Sequence, residues 1–365
     1  MRITAAVVSH AGAPFVLQEV DLEAPRSDEV LVQLHASGIC HTDASAQAGD
    51  FSFPFPAVLG HEGAGVVIEV GKSVTKVAPG DHVVMTFGSC GTCANCNHGH
   101  QAYCVEAAAL NVSGRRYGAR TAYSMDGSPI AGHFFGQSSF ATHSITKERN
   151  LVSVDKSLAL ELLAPLGCGI QTGAGAVLNE TDAGPGSRLA VLGTGSVGLS
   201  SIMAAQLSGC SVIIAVDLKE ERMKIAEQLG ATHAVNGNEP HLADKLKEIT
   251  GGELDYIVDY TSVPPLLKSV MPALKRRGTL LLGGAAKPHT VADFDMNSIL
   301  IGRSVRGMVR GDSVPDTFIP KLIAHHQAGR FPFDKIISLY DFSNINEATR
   351  DSIEGKTIKP VLRMR

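Results

Sequence analysis

The stretch RLAVLGTGSVG, residues 188–198, runs an apolar, strand-like segment straight into G-x-G-x-x-G, and the helix-like SVGLSSIMAAQLSG overlaps its end. A lone match to this glycine pattern is weak, since a glycine-rich turn in another α/β protein produces it too. Its surroundings give it meaning. A second strand-like run, CSVIIAVD, follows and ends in Asp217. In that setting Gly193 permits the tight turn, Gly195 lets backbone approach a pyrophosphate, and Gly198 lets helix and strand pack closely. Ser196 and Val197 open the helix, whose N-terminus favours phosphate charge. Asp217 at a strand end suits a ribose diol and repels a 2′-phosphate, which favours NAD over NADP. Lys219 and Arg222 are nearby cations that weigh the other way.

Beyond this motif the alternation continues: EERMKIAEQLG (helix), THAVN (strand), HLADKLKEITGG (helix), LDYIVDY (strand), PPLLKSVMPALKRRG (helix), TLLLGG (strand) and SVRGMV as a sixth strand. Apolar strands alternating with helices at this pace predict parallel βαβ units. Upstream, EVLVQLHASG, GVVIEVG and PGDHVVMTF are short β-branched runs separated by Gly, Pro and Asp, which predict a mostly-β unit with no long amphipathic helix until about SLALELLAPLG. The segment from about residue 307 holds a helix at TFIPKLIAHHQAG and a last strand at KPVLRMR. It is too short to stand alone and is expected to complete the first domain. TGAGAVLNETDAGPGS is expected to belong to a hinge.

The chain has 365 residues, 44% of them hydrophobic, and a formal net charge of −4. That length suggests two domains, and that charge gives no reason to expect nucleic acid or an anionic membrane as partner. The N-terminus has no long apolar run and no segment has eighteen uninterrupted apolar residues, so the chain is expected to be cytoplasmic.

Seven cysteines rule out a complete disulfide framework, and in a reducing compartment clustered thiols bind metal more often than each other. Cys90, Cys93, Cys96 and Cys104 lie in one loop, FGSCGTCANCNHGHQAYC, whose spacing suits one tetrahedral ion. Structural zinc is favoured; an iron–sulfur cluster and strained neighbouring disulfides are the competitors. His98 and His100 are spare ligands in principle and solvated loop residues more simply. The scattered cysteines read differently. Cys40 in GICHTD, His61 with Glu62 in LGHEGAG, and Cys168 in PLGCGIQTG each have a bland explanation singly, as a buried thiol or a core histidine. Together they form a two-cysteine, one-histidine set with a fourth position open, as in a catalytic zinc site.

With these motifs in this order, the chain resembles the zinc-dependent medium-chain alcohol dehydrogenases over essentially its whole length. It looks most like the bacterial benzyl (aryl) alcohol dehydrogenases, through GICHTD, LGHEGAGVV, HFFGQSSFATHS, PLGCGIQTGAGAVLN and INEATRDSIEGKTIKPVLR. The resemblance implies an α/β protein with a Rossmann doubly wound parallel sheet plus a mostly-β GroES-like catalytic domain. The boundaries expected are 1–169 for the catalytic domain with its structural-zinc loop, 170–306 for the NAD-binding domain, and 307–365 completing the catalytic domain. It implies two zinc ions per chain, catalytic at Cys40, His61 and Cys168 and structural at the four clustered cysteines. It places Thr42 as receiver of the alcohol proton, Asp43 behind His61, and Glu62 beside the metal. Thr172 would touch the nicotinamide amide, and His41 and Lys359 the cofactor phosphates. Where animal and plant relatives carry a relay histidine this chain has Ser45, so His41 is the substitute relay candidate.

The expected reaction is reversible oxidation of a primary alcohol, aromatic or allylic, such as benzyl alcohol, to its aldehyde with NAD. Phe51, Phe53, Phe55, Leu110 and Ile301 are candidate pocket-wall or core residues. A glutathione-adduct formaldehyde dehydrogenase is the runner-up, disfavoured because AGDFSFPFPAVLG offers only Asp50. A general aliphatic alcohol dehydrogenase and an inactive nucleotide-binding relative also compete. A homodimer or homotetramer is expected, paired through TLLLGG and SVRGMV.

Overall fold

The computed structural model describes residues 1–50 and 52–364, so the expectation for Phe51 lies outside the described residues. The chain forms two compact units: Met1–Cys168 with Val314–Lys321 and Asp334–Arg365, and Gly169–Ser313 with Leu322–Phe333.

The first unit is built on two sheets. One has the strand order Ala57–Val58, Arg2–Val8, Val16–Leu22, Tyr123–Met125, Ser128–Pro129. The other runs Leu151–Val154, His82–Met85, Gly63–Val70, Glu29–Gly38, Lys359–Arg363, Ile337–Asp341, with His143–Lys147 also paired to Glu29–Gly38. Alternation along Glu29–Gly38 puts Val30, Val32 and Leu34 into one core with Phe15, Phe134, Phe140 and Leu362. Leu31, on the opposite face, joins Ile3, Val7, Leu22 and Tyr123 in a second core. The N-terminal hairpin, strand Ile337–Asp341 and helix Ile345–Glu354 have no counterpart among the elements expected from the sequence.

The second unit is a six-stranded parallel sheet in the order His233–Asn236, Val212–Asp217, Arg188–Leu192, Leu254–Asp259, Leu274–Leu282, Ser304–Gly307. In order of appearance these are strands 3-2-1-4-5-6, the doubly wound dinucleotide-binding order. Its strands read as continuous apolar runs because helices cover both faces.

Four details differ from the sequence-based expectations. TGAGAVL is not a glycine-rich loop: Gly169–Leu178 is a helix, buried over most of its length. PPLLKSVMPALKRRG is not one helix. Pro264–Val270 is helical, but Pro272 lacks the N–H that would continue it, and LKRRG opens the strand Leu274–Leu282. TLLLGG consequently lies inside the sheet, and only Ser304–Gly307 forms that edge. Finally, residues 307–313 and 322–333 group with the second unit rather than the first. Met308 N–H donates to Leu282 O at 2.9 Å, and Asn179 Nδ2 donates to Gly311 O at 2.8 Å. Among the described residues no helix is long and apolar enough to cross a membrane.

Candidate active site

Strand pairing brings distant residues together. Glu29–Gly38 runs antiparallel to Gly63–Val70 with Ser37 opposite Gly63, so the residues just past the first strand meet those just before the second. Cys40 and His61 therefore converge. Gly38 N–H donates to Glu62 O at 2.9 Å, and a Cβ on Gly38 would sit 2.0 Å from Glu62 Oε2, so glycine is required there. Lys359–Arg363 pairs with the other side of Glu29–Gly38, placing Lys359 beside Ile39. Cys168 arrives from the turn Ala164–Gly167, which is held by Thr86 Oγ1 donating to Gly167 O at 2.9 Å.

The outcome is a cluster of Cys40, His61, Glu62 and Cys168 whose ligating atoms all lie within 4.8 Å of one another. His61 is 1% exposed. Its Nδ1–H donates to Asp43 Oδ1 at 2.8 Å, while Nε2 is buried with no hydrogen-bond partner. A buried ring nitrogen turned away from its carboxylate partner, beside the thiols of Cys40 and Cys168, fits the donor set of a metal centre. Asp43 is itself held: Oδ1 also accepts from Gly60 N–H at 3.2 Å and Oδ2 from Cys40 N–H at 2.9 Å. Burial would push the His61 pKa down, but Asp43 and the Cys40 sulfur hold it up at about 10. The hydrogen bond from Cys168 holds the Cys40 thiol well below its ordinary value, and the same contact pushes Cys168 up. The cluster thus gathers negative charge and draws a proton onto His61, the position a divalent cation would take over.

The four-cysteine loop is a second cluster, with all Sγ atoms within 4.8 Å and Cys90 Sγ 3.9 Å from Cys96 Sγ. All seven cysteines are free. Four sulfurs about 2.3 Å from a tetrahedral ion lie roughly 3.8 Å apart, far beyond a disulfide's ~2.05 Å. The spacing fits one ion and leaves no vacancy. Thr92 N–H, Thr92 Oγ1 and Cys93 N–H point at Cys90 Sγ at 3.4, 3.6 and 3.3 Å. Led by the Thr92 amide, they lower the Cys90 pKa to about 6. His98 and His100 are exposed and outside the cluster; His98 Nδ1 donates to Ala94 O at 2.8 Å.

Thr42, half-buried in the helix His41–Ala48, has its Oγ1 3.7 Å from Cys40 Sγ. The helix is capped by Cys40, so Thr42 is not the cap. His41 is exposed in the first turn, and Ser45 is half-buried one turn on. Lys359 corrects an expectation. Its ammonium is buried and its three N–H donors go to Glu62 Oε1 (2.9 Å), Glu62 Oε2 (3.0 Å) and Ile39 O (3.1 Å). None remains for a cofactor phosphate. A lysine in this position neutralises Glu62 behind the metal cluster instead.

In the second unit, Gly193 has φ +85°, Gly195 caps the helix Ser196–Leu207 with open space where a Cβ would project, and a Cβ on Gly198 would lie 1.9 Å from Gly193 O. Ser196 and Val197 form the first turn of that helix. Asp217 Oδ2 accepts from Thr194 N–H and Oγ1 (2.7 and 2.8 Å), and Oδ1 from the amides of Leu218 and Lys219 (2.7 and 3.0 Å). Burial raises its pKa but these donors and Arg222 more than compensate, leaving it lowered. Arg222 Nε is buried without a partner, and Thr172 lies on the helix Gly169–Leu178.

Phe134, Phe135 and Gln137 carry no individual expectation from the sequence, yet they surround the cluster. The Phe135 ring stacks on His61 (centroids 4.5 Å, 27°), Phe134 meets it edge-on at 5.6 Å, and Phe53 packs on Phe134 at 5.0 Å. Phe135 has φ +51°, rare for an aromatic residue, and strain of this kind gathers at functional sites. Gln137 Nε2 donates to His61 O at 2.9 Å and Oε1 accepts from Gly63 N–H at 3.1 Å, clamping the ligand segment. The only sequence signal for all three is HFFGQSSF, a motif with no metal-binding residue types beyond its histidine. Of the other wall candidates, Phe55 packs against the first unit's core, Leu110 lies by the cysteine loop, and Ile301 ends a helix of the second unit.

The family pattern of the alcohol dehydrogenase GroES-like domain matches residues 26–156, and that of the zinc-binding dehydrogenases matches residues 196–325. A geraniol dehydrogenase of Castellaniella defragrans is 41% identical over 98% of this chain and 96% of its own. The crystal structure of an alcohol dehydrogenase zinc-binding domain protein from Burkholderia ambifaria superposes with a TM-score of 0.98 at 49% identity, over 100% of this chain and 99% of the other. Benzyl alcohol dehydrogenase of Acinetobacter calcoaceticus gives 0.97 at 43% identity over the whole of both chains. Two converging ligand clusters, a doubly wound dinucleotide sheet and these likenesses agree, and the chain belongs to the zinc-dependent medium-chain alcohol dehydrogenases.

Proposed function

We propose that the chain oxidises primary alcohols whose carbinol carbon is attached to an sp² carbon, allylic or aromatic, to the aldehyde with NAD, reversibly. The observation that carries the substrate class is the half-buried Phe135 ring, stacked on His61 and backed by the buried Phe134 and Phe53. Flat unsaturated groups stack on such a ring, and small aliphatic alcohols gain little from it. The names of two relatives, geraniol and benzyl alcohol dehydrogenase, share this carbinol chemistry.

On this reading Cys40, His61 and Cys168 hold the catalytic zinc, and Cys90, Cys93, Cys96 and Cys104 the structural one. A zinc ion with an open position acts as a Lewis acid toward a hydroxyl or carbonyl oxygen and makes the hydroxyl more acidic. Asp43 fixes the His61 tautomer so that Nε2 faces the metal. Thr42 Oγ1 accepts the substrate hydroxyl proton and passes it toward solvent, with exposed His41 as the next carrier in place of a relay histidine at Ser45. A bound nicotinamide would supply the hydride acceptor, and Thr172 would contact its amide. Glu62, neutralised by Lys359, stands behind the metal. Phe135 orients the substrate's flat group, and the buried Phe134 and Phe53 hold its ring in place. Ser196, Val197 and the three glycines receive the pyrophosphate. Asp217, held ionised, receives the ribose hydroxyls and disfavours a 2′-phosphate, with Arg222 alongside. A homodimer or homotetramer pairing through Ser304–Gly307 belongs to the same proposal.

The test is a panel of benzyl alcohol, geraniol, ethanol and the glutathione–formaldehyde adduct with NAD and NADP, read at the reduced-nicotinamide absorbance band. The expected result is turnover of benzyl alcohol and geraniol with NAD. Turnover confined to the glutathione adduct or ethanol, or a preference for NADP, overturns the corresponding part.

A further inference from the structure

Arg149 has no part in the chemistry above. It sits in the turn Glu148–Asn150, which is anchored at both ends. Glu148 Oε2 accepts from the amides of Thr75 and Lys76 at 2.8 and 2.7 Å, and Thr86 N–H donates to Asn150 O at 2.8 Å. From this fixed base the guanidinium reaches the four-cysteine loop. Its Nε donates to Ser89 Oγ at 2.9 Å. It also lies flat against Gly91, where a Cβ would meet Nη1 at 2.4 Å and Cζ at 2.5 Å. Gly91 lies between Cys90 and Cys93 and has φ +75°, so backbone and neighbour both demand glycine there.

A cavity of about 620 Å³ is lined by Arg149 together with Ser89, Cys90, Thr92 and Cys93. Of the four other cations of that lining, Arg116 pairs with Glu23 and Glu29 and Lys147 with Asp28, while Arg26 and Arg115 line the same cavity. Arg149 forms no ion pair among the described residues. A divalent ion with four thiolates carries a net charge of −2, which the loop's own N–H groups offset only in part.

We propose that Arg149 is a positioning residue and the counter-charge of the four-cysteine metal centre. It ties the loop to the body of the first unit through Ser89 and Gly91 and slows escape of the ion. This rests on reading that loop as a zinc site. A unit charge roughly 7 Å from a net charge of −2, even in water-like dielectric, changes retention by about tenfold.

The test follows zinc transfer from the protein to a chromophoric chelator in a His61→Ala background, where only the loop ion remains, comparing Arg149, Arg149→Lys and Arg149→Met. Expected is about tenfold faster release from Arg149→Met, release from Arg149→Lys within about threefold of the parent, and a gap between Met and Arg that narrows with added salt. Melting should separate packing from charge: Arg149→Met should lower the Tm of the zinc-loaded protein more than that of the zinc-stripped protein. Equal release from all three variants overturns the proposal, as does Lys matching Met without salt dependence, which would leave packing as the whole role. A His61→Ala protein without zinc would instead overturn the reading of the loop itself.

Discussion

The two clusters of the first unit each gather four candidate residues and have opposite designs. Cys90, Cys93, Cys96 and Cys104 come from one short loop, partly exposed, with backbone and threonine donors aimed at sulfur. Cys40, His61, Glu62 and Cys168 come from three separate places, brought together by strand register and lined by aromatic rings. A local cluster can fold around its ion. The dispersed cluster exists only once the sheet is complete, and it contains a carboxylate already paired with a lysine, so the ion is not enclosed by four thiolates. Local construction suits a closed structural site, and long-range construction suits a site with room for substrate.

The largest expected effect separates them by function. His61→Ala should lower alcohol oxidation by about 10⁴-fold or more, with zinc falling from two ions per chain to one and the loop ion retained. Cys96→Ser should also leave one zinc and lower the Tm by several degrees, because the loop loses the ion that organises it. Metal analysis and calorimetry on both variants check this, and loss of the loop ion from His61→Ala would erase the distinction.

The next test concerns the charge inside the dispersed cluster. Lys359→Met removes the buried cation paired with Glu62, a change that costs about 3–5 kcal/mol, or roughly 10 °C in Tm. Combining it with Glu62→Gln should recover much of that loss. If Lys359→Met instead raised KM for NAD without altering the Tm, the cofactor-phosphate role would return to Lys359. Asp43→Asn should weaken zinc binding at His61 by about 10–100-fold in chelator competition and leave the loop ion in place. Smallest of all, Phe135→Ala should raise KM for benzyl alcohol by about three- to tenfold and that for ethanol hardly at all, in line with the ~0.5–1.5 kcal/mol of an aromatic pair.

The same contrast explains what can be read from the sequence. The cysteine loop is legible because its geometry is local, as is the glycine turn at Gly193–Gly198. The parallel strands stand out as unbroken apolar runs. Cys40, His61 and Cys168 are individually unremarkable, and only the order of motifs in the family resemblance groups them. Lys359 points to the wrong partner in sequence because Glu62 is distant along the chain and near only through the strand Lys359–Arg363. Phe135 escapes because an aromatic residue at positive φ has no sequence mark, and KRRG reads as helix because cationic residues next to a helix are ordinary helix formers.

The most direct measurement is anomalous diffraction at the zinc edge from crystals of the untreated protein. The account predicts two peaks per chain. One is surrounded by the four sulfurs of Cys90, Cys93, Cys96 and Cys104. The other lies about 2.0–2.3 Å from Cys40 Sγ, His61 Nε2 and Cys168 Sγ, with a non-protein atom as fourth ligand. A single peak, or a second ion enclosed by four protein ligands with no place for substrate, would contradict it.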